Sequence, residues 1–387
     1  MRRKKEKGKI LDEFVQVTGY HRKAAIRLLR RGGSDQPGKR RGRRRRYGDE
    51  AVEALCQVWE ASDRLCSKRL QPFIGELVRV MRRHGELAVT ARVEDELSPM
   101  SASTIDRRLR PWRRLGRRHP LSTTKPGSLL KSSIPIRTLA DWSEERPGFL
   151  EMDLVAHCGE STEGFYLTTL CAVDVATGWS ECIGVWGKGQ QRVGSAVHQV
   201  RHRLPFPLLG LDSDNGSEFI NQYLYNYCRH QGITFTPPRG YPAHTRRVLS
   251  EAKDSCYVEQ KNWSLVRRLV GYDRYSSHAA LECLNLVYAT LRHYVNFFQP
   301  TMKLVCKTRE RARVHKVYDT AKTPYQRLLE SGTVTPEKRA QLAAIYHGLN
   351  PAYLLSRLNL HLEKLWKLAD RTMPKTKDGR SFGNREL

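Results

Sequence analysis

The sequence has few acidic residues relative to basic ones and no long apolar segment. It contains 40 Asp and Glu against 68 Lys and Arg, so its formal net charge is +28 and its pI is near 10.0. No apolar run approaches the roughly 20 residues that span a bilayer. The first residues, MRRKKEKGKI, are not followed by the apolar core of a signal peptide. These absences predict a cytoplasmic protein, and the charge favours a nucleic acid or an anionic membrane surface as partner.

The nine cysteines are odd in number and form no CxxC pair. A disulfide framework uses an even number of cysteines, and a zinc ribbon uses CxxC pairs. The cysteines therefore indicate buried thiols in a reducing compartment. His157-Cys158 has no second His or Cys pair at ligand spacing, so it is not interpreted as a metal site. With 387 residues and 39% apolar content, the chain is long enough for two or three domains.

The segment KILDEFVQVTGYHRKAAIRLLRR has apolar residues at helical spacing on both sides of a break at Thr18-Gly19. This pattern predicts a helix-turn-helix, with an amphipathic helical hairpin of any other role as the alternative. Seven of the eight residues from Lys39 to Arg46 are basic. We predict that this block runs along phosphates, with a solvated tail as the alternative. The candidate DNA-binding residues in it are Arg40, Arg41, Arg43, Arg44, Arg45 and Arg46.

A second helical region follows at 49–115. Pro99 and either Ser101 or Ser103 mark the start of its last helix. The residues predicted to line the exposed face of that helix are Thr104, Arg107, Arg108 and Arg110. We therefore predict a second DNA-binding module. The next residues, 116–147, are rich in Ser, Thr and Pro, which is typical of a linker.

From Gly148 onward the pattern predicts a mixed α/β layer. Three strands joined by turns come first, and they are followed by helix, strand, helix, strand, helix and helix. Beyond Pro300 the alternation of apolar and basic residues predicts a hairpin with one cationic face. A helical tail is predicted from about Pro336 to Leu368.

Three carboxylates in this region occupy positions that require an explanation. Asp153 lies within the apolar strand LEMDLVA, where a charge is costly unless it is paired or bound to a cation. Asp214 follows the strand LLGL, and Glu259 lies in the first turn of the helix CYVEQKNW. An ordinary turn would explain Asp214, and the helix dipole would explain Glu259. Taken together, they offer the oxygen ligands that Mg²⁺ and Mn²⁺ prefer, and two such ions about 4 Å apart support phosphoryl transfer.

Longer segments resemble a known family. FLEMDLVAHCG, TLCAVDVATGWSE, LDSDNGSEFIN, YVEQKNWSLVRRLVGYDRY and YVNFFQPTMKL are similar to integrase-core transposases of bacterial insertion sequences, of the ISNCY-like type within the retroviral-integrase superfamily. LDEFVQVTGYHRKAAIRLLR, SASTIDRRLRP and STTKPGSLLKSSIPIRT extend the resemblance over most of the chain. It implies an RNase H-like catalytic core in an α/β fold, with N-terminal helix-turn-helix modules and a small C-terminal β and helical region.

The resemblance also implies the chemistry. A DDE triad would fall on Asp153, Asp214 and Glu259 and would hold two Mg²⁺ ions, with Mn²⁺ as a substitute. The implied reaction is hydrolysis at the DNA ends of a mobile element, followed by attack of the freed 3′-hydroxyl on target DNA. The implied partner is double-stranded DNA in the bacterial cytoplasm or nucleoid, with no membrane. Pairing two DNA ends favours a dimer or a higher homo-oligomer.

The spacing departs from the family pattern, because 44 residues separate Asp214 from Glu259 and the pattern has about 35. The excess lies in PPRGYPAHTRRVLSEAKDS, a stretch in which a surface loop absorbs extra residues at small entropic cost. One alternative function is therefore a catalytically inactive DNA-binding regulator derived from a transposase. Another is a nuclease of RNase H type that hydrolyses without joining.

The predicted helix that contains Glu259 also contains Asn262, Trp263, Arg267 and Arg268. Asn262 is one turn further and shares the face of Glu259, so it is predicted to contact DNA or the surroundings of the metal ions. Arg267 and Arg268 are interpreted as phosphate contacts, with simple solvation as the alternative. Trp263 is interpreted as a core residue.

The remaining acidic candidates receive structural interpretations. Asp174, in AVDVATGW, is predicted to close a hairpin. Asp212 and Glu218 flank Asp214 and are assigned to its turn or to supporting roles. The predicted organisation is a helix-turn-helix segment at 1–36, an arginine-rich linker at 37–48, a second DNA-binding module at 49–115, an extended linker at 116–147, the RNase H-like core at 148–300, a β-hairpin and helical region at 301–372, and a disordered tail at 373–387.

Overall fold

The structure is a computed structural model, and it describes residues 2–30, 47–115, 146–213, 222–236, 256–310 and 313–370. The chain forms two compact units, 1–48 and 49–387. In the first unit α1 (Arg2–Thr18) and α2 (Arg22–Arg30) are joined by a turn at Gly19, whose φ of +69° suits glycine. The two predicted helices are thus present on either side of the predicted break.

The second unit begins with a layer of helices. Val58, Leu77 and Leu109 are fully buried within it, because their apolar side chains recur at helical spacing and face one another. The helices are α3 (Asp49–Ala61), α4 (Ser67–Leu70), a 3₁₀ turn (Gln71–Phe73), α5 (Ile74–Arg83), α6 (Ala91–Leu97) and α7 (Ala102–Leu115).

The described strands of the main sheet are β1 (Phe149–Ala156), β2 (Thr168–Asp174), β3 (Ser180–Val185), β4 (Gly210–Ser213) and β5 (Thr234–Thr236). Their order in space is β3-β2-β1-β4-β5. β2 is antiparallel to both β1 and β3, whereas β4 is parallel to both β1 and β5. The predicted mixed α/β layer with an antiparallel start is confirmed.

β4 begins later than the apolar run PLLGL suggests. Its first residue is Gly210, which pairs with Phe149 in the parallel ladder. A Cβ on Gly210 would collide with the Phe149 ring, so glycine permits the close approach of the two strands here.

Helices and a hairpin complete the second unit. The helix His278–Phe298 packs against β3 and against the helix Pro351–Lys367. Its N-terminus is capped by the Ser277 side chain, which accepts from the Ala280 N–H. The predicted helical tail is found as two helices, because Asn350 caps a new helix that begins at Pro351. The elements are α8 (Gln190–Arg203), α9 (Gln222–His230), α10 (Cys256–Lys261), a π-helical turn (Asn262–Arg267), α11 (Arg268–Val270), α12 (His278–Phe298), β6 (Leu304–Glu310), β7 (Arg313–Tyr318), α13 (Pro324–Glu330), α14 (Pro336–Gly348) and α15 (Pro351–Lys367). In the described ranges no helix is both long and apolar enough to cross a membrane.

Side chains near the end of the helix His278–Phe298 donate hydrogen bonds to backbone carbonyls of the helical layer. The Tyr294 hydroxyl donates to the Ala61 carbonyl at 2.8 Å, and Gln299 Nε2 donates to the Ser62 carbonyl at 2.9 Å. In the opposite direction, Arg69 Nε of the helical layer donates to the Pro300 carbonyl at 2.5 Å. Residues 49–115 therefore belong to the same compact unit as the sheet.

A buried ion pair joins β3 to α12. Two of the guanidinium nitrogens of Arg292, Nε and Nη2, donate to the Glu181 carboxylate at 2.9 Å each. The Glu181 side chain is 1% exposed. Trp179 Nε1 also donates to Glu181, at 3.0 Å. The carboxylate is thus satisfied by donors from two elements, as a buried charge requires.

We expect Arg292→Met to lower the free energy of unfolding by about 3 kcal/mol, because it leaves the Glu181 charge buried without its partner. Urea denaturation measures the change. Arg92→Met is the matched control, since Arg92 pairs with Glu96 on the surface with its own side chain 85% exposed. That control is expected to change stability by about 0.5 kcal/mol or less. Equal effects of the two variants would contradict the prediction.

Candidate active site

One face of β1 carries two carboxylates. Glu151 and Asp153 are two residues apart, so they lie on the same face of the strand. Glu151 is 4% exposed and Asp153 is half-buried. In the parallel ladder Glu151 pairs with Asp212 of β4, which places a third carboxylate on that face. Asp212 therefore lies within a strand rather than in the turn after it.

The start of α10 is held against this face by Glu151. The Val258 backbone N–H donates to Glu151 Oε2 at 2.9 Å, and the Val258 side chain is fully buried. The first N–H groups of a helix have no acceptor within the helix. A carboxylate on a neighbouring strand supplies one here, so it fixes where α10 begins relative to β1.

A second contact is made one turn later. Asn262 Nδ2 donates to Asp153 Oδ2, and the Leu154 N–H donates to Asp153 Oδ1 at 2.7 Å. Asn262 Oδ1 is buried, and no donor from the described part of the chain lies within hydrogen-bond distance of it. Asn262 opens the π-helical turn, a departure from α-helix that often occurs at functional sites.

The three predicted triad residues differ in how far the structure describes them. Asp153 is described fully. Glu259 lies in the backbone of α10, but its side chain is outside the description, and Asp214 lies outside the described residues altogether. No cluster of three or more His, Cys, Asp or Glu side chains suited to a metal occurs among the side chains that the structure does describe. The structure thus brings Asp153 and Asn262 together, and the full triad stays a prediction.

The residues beyond Asn262 follow different courses. Arg267 lies with its guanidinium 4.9 Å from the centre of the Tyr272 ring. Arg268 forms an ion pair with Asp63 at 2.6 Å. The interpretation of Trp263 as a core residue is wrong, since it is 61% exposed. Trp263 lies in the π-helical turn that begins at Asn262.

The predicted DNA-binding residues of α7 differ in their exposure to solvent. Arg107 is exposed, whereas Thr104 and Arg108 are half-buried, and Thr104 Oγ1 lies 3.0 Å from Ser101 Oγ. Their role in binding DNA stays a prediction. The arginine block from Arg40 to Arg46 lies outside the described residues.

Asp174 closes the turn between β2 and β3, as predicted. Its carboxylate accepts from the Gly148 N–H at 2.8 Å and from the Thr177 N–H and hydroxyl at 2.7 and 2.6 Å. Burial raises the pKa of Asp174, while these donors act in the opposite direction. Its position and partners explain it as a turn residue.

Three polar features near the site were not identified from the sequence. Glu151 anchors α10, and the available signal was a second carboxylate two residues before Asp153. Burial lowers the pKa of Lys261 to about 8, and its ammonium lies 3.5 Å from the Gly178 carbonyl oxygen. His157 is buried, with Nε2 2.7 Å from Thr169 Oγ1, which is itself 2.7 Å from the Tyr288 hydroxyl.

Comparison with known proteins places the chain in a family. No protein-family model matches it. The uncharacterized protein y4rM of Sinorhizobium fredii is 44% identical over 322 residues, which are 83% of this chain and 89% of that protein. The chain belongs to the y4rM family. The match to y4rM extends over most of both chains.

Retroviral integrases are among the similar solved structures of this y4rM family member. The catalytic core domain of BIV integrase has a TM-score of 0.30 and 20% identity, over 48% of this chain and 95% of that one. The HTLV-2 integrase catalytic core in complex with magnesium has a TM-score of 0.28 and 17% identity, over 40% and 90%.

We expect Glu151→Ala to loosen α10, because it leaves the Val258 N–H without its carboxylate acceptor. The expected loss of stability is about 1–3 kcal/mol. Hydrogen exchange of the amides from Val258 to Asn262 is expected to become faster. Glu151→Gln keeps a side-chain oxygen acceptor and serves as the control. Equal exchange in the two variants would show that Glu151 does not hold the helix.

Burial, assisted by the nearby charge of Arg267, lowers the pKa of His157 from 6.5 to about 3. Between these values the unfolded chain binds a proton on His157 that the folded chain does not. The free energy of unfolding therefore falls as the pH drops through this window, by up to about 1.4 kcal/mol per pH unit for one group. His157→Gln is expected to lose less stability than the parent protein between about pH 7 and about pH 5 in urea denaturation. Identical losses would contradict this assignment.

Proposed function

We propose that this protein is a DNA transposase or integrase with an RNase H-like catalytic core, which cleaves and joins DNA strands through Asp153, Asp214 and Glu259. The observation that carries the proposal is the contact of Asn262 with Asp153. It supports a site in which the helix that contains Glu259 lies over the strand that contains Asp153. A mixed sheet of three antiparallel strands followed by two parallel ones is consistent with this core.

Chain connectivity supports the inclusion of Asp214. Ser213 is the last residue of β4, and it pairs with Met152 of β1. Asp153 and Asp214 are the residues that follow this pair in the two segments. Consecutive Cα atoms are about 3.8 Å apart, so we include Asp214, the residue directly after Ser213, in the proposed site.

The geometry of α10 supports the inclusion of Glu259. Residues three apart on a helix are neighbours on one face. Asn262 is three residues after Glu259, and its side chain contacts Asp153. The proposal therefore places position 259 on the face of α10 that is turned toward β1.

The donor chemistry of the site fits magnesium. Carboxylate and amide oxygens are the hard ligands that Mg²⁺ prefers. Asp153, Asp214 and Glu259 would hold the ions, and the buried Asn262 Oδ1 adds a neutral oxygen beside them. Two bound ions would polarise the phosphodiester and stabilise the attacking and leaving oxygens. Glu151 would position α10 through its hydrogen bond from the Val258 N–H.

The charge of the chain supports duplex DNA as the substrate. A net charge of +28 attracts a polyanion, and binding gains from counterion release. We assign phosphate contacts to Arg107, Arg108 and Arg267. Thr104, Arg268 and the arginine block at 40–46 complete this proposed set. A dimer or a higher oligomer follows from the need to hold two DNA ends.

Strand joining tests the proposal. DNA that flanks the gene is searched for inverted repeats, and labelled duplexes with those ends are incubated with the protein, Mg²⁺ and a target plasmid. We expect joined product from the parent protein. Asp153→Asn and Glu259→Gln are expected to abolish joining and to retain duplex binding, because they remove a metal ligand and not a phosphate contact. Glu160→Gln, which changes an exposed carboxylate, is the matched control and is expected to join normally.

The other outcomes identify the alternatives. Cleavage without joining would indicate a nuclease, and salt-sensitive binding alone would indicate a DNA-binding regulator. An Asp214→Asn variant that still joined strands would overturn the triad assignment.

A further inference from the structure

Two consecutive residues after α3 have an uncommon backbone conformation. Asp63 and Arg64 have φ angles of +54° and +57°, and they are the two non-glycine residues of the described ranges with a positive φ. The residue before them is held to the core, because Gln299 Nε2 donates to the Ser62 carbonyl at 2.9 Å. Non-glycine residues in this left-handed region cluster at functional sites. The strained turn presents the side chains of Asp63 and Arg64 in a fixed place beside the core.

Asp63 is a single carboxylate among three guanidinium groups. Arg268 of α11 donates to Asp63 Oδ2 at 2.6 Å. Burial raises the pKa of Asp63, and the charges of Arg268, Arg64 and Arg69 act in the opposite direction. Burial lowers the pKa of Arg69, and the charge of Arg268 acts in the same direction, so these two cations lie near each other. One acid thus stands against three basic side chains.

The basic side chains continue from this turn to α7. The guanidinium carbon of Arg64 lies 5.6 Å from the centre of the Trp59 ring, and that of Arg113 lies 5.6 Å from the same ring. Arg113 belongs to α7, the last helix of the predicted second DNA-binding module. Cation–π contacts attract a guanidinium group to an aromatic ring. Trp59 therefore connects a cation of α7 with the cations around Asp63.

A second acid lies within this surface, which we call the cationic track. Asp106 of α7 pairs with Arg113, and the Ser67 side chain and the charge of Lys68 stabilise the same carboxylate. The track contains five basic and two acidic side chains, which are Arg64, Lys68, Arg69, Arg113, Arg268, Asp63 and Asp106.

The neighbouring acids of α3 belong to another face of that helix. Burial and the charges of Glu60 and Glu53 raise the pKa of Cys56 to about 11, so both acids lie beside Cys56. Successive helix residues are about 100° apart, and both acids project away from Trp59 by that angle or more. The basic residues of the track therefore stay in excess.

The cationic track is open to solvent. Arg64 and Lys68 are exposed, and the Arg268 side chain is 48% exposed. Like charges held near one another repel, and an anion placed between them relieves the repulsion. The excess of basic side chains is thus unfavourable in the free protein and favourable beside a polyanion.

We infer that the cationic track binds the phosphate backbone of duplex DNA, so that α7 and α11 hold the same duplex. Guanidinium groups suit this task because they donate two hydrogen bonds to one phosphate. The inference rests on the proposed function, because it adds a binding surface to a protein that acts on DNA. α11 follows the π-helical turn that begins at Asn262, so the track leads from the helical layer to the segment after the proposed site. Asp63 competes with phosphate for Arg268.

The first test removes a cation from the track. Arg268→Gln is compared with Lys322→Gln, since Lys322 is a half-exposed cation outside the track that pairs with Glu330 at 2.7 Å. Binding of the full chain to a labelled duplex is measured by fluorescence anisotropy over a range of salt concentrations. Thermal unfolding of each variant checks that the fold is retained.

The second test removes the competing acid. Asp63→Asn keeps a residue that tolerates the left-handed backbone conformation. We expect it to bind the duplex about fivefold more tightly, the factor that one charge pair about 4 Å apart supplies in water. Glu330→Gln is the matched control and is expected to leave the affinity unchanged. Equal gains in the two variants would contradict the role of Asp63.

The salt dependence distinguishes the outcomes. Arg268→Gln should reduce the slope of log affinity against log salt by about 0.9, the value for one lost phosphate contact, and the double variant with Arg64→Gln by about 1.8. Lys322→Gln should leave the slope unchanged. Equal slopes for Arg268→Gln and Lys322→Gln would overturn the inference, because net charge alone would then explain the effect. A parent protein without salt-sensitive duplex binding would instead overturn the proposed function.

Discussion

The hydrogen bond from the Val258 backbone to Glu151 is the contact on which the proposed site depends. It fixes the beginning of α10 on the strand that bears Asp153, and the contact of Asn262 with Asp153 fixes the next turn. The position of α10 is therefore set by its docking on β1 and not by the length of chain that precedes it. This explains how 44 residues can separate Asp214 from Glu259 without displacing the helix, since lengthening a loop costs little entropy.

The electrostatics of this face follow from the kind of donors that surround it. Two of the groups that hold Glu151 and Asp153 are amides, the Val258 N–H and Asn262 Nδ2. A neutral donor stabilises a carboxylate without cancelling its charge. In contrast, the buried Glu181 is matched by the guanidinium of Arg292. The Glu181 carboxylate is thus paired with a cation at the β3–α12 junction, and the donors to Glu151 and Asp153 include backbone and side-chain amides.

The sequence predicted the fold more fully than the site. Alternating apolar residues and glycine turns are local signals, and they located the three antiparallel strands and the helix that ends at Phe298. Glu151 was missed because the sequence does not show whether a Glu in a strand is buried. Its role becomes evident only from the hydrogen bond that the Val258 N–H donates to it in the folded chain. Trp263 was misplaced because a large aromatic side chain is usually mostly buried, whereas here it is 61% exposed. The periodicity of apolar residues does not predict contacts between distant segments, such as that of Asn262 with Asp153.

The junction between the helical layer and the sheet has a further consequence. Tyr294 and Gln299 donate to the carbonyls of Ala61 and Ser62, so the layer contributes main chain to these bonds and the sheet side contributes side chains. Every residue has a carbonyl, and the two bonds therefore require no particular side-chain chemistry at the end of α3. Substitutions on the outward surface of the helical layer therefore leave these two bonds to the core in place, because the bonds use its carbonyl groups.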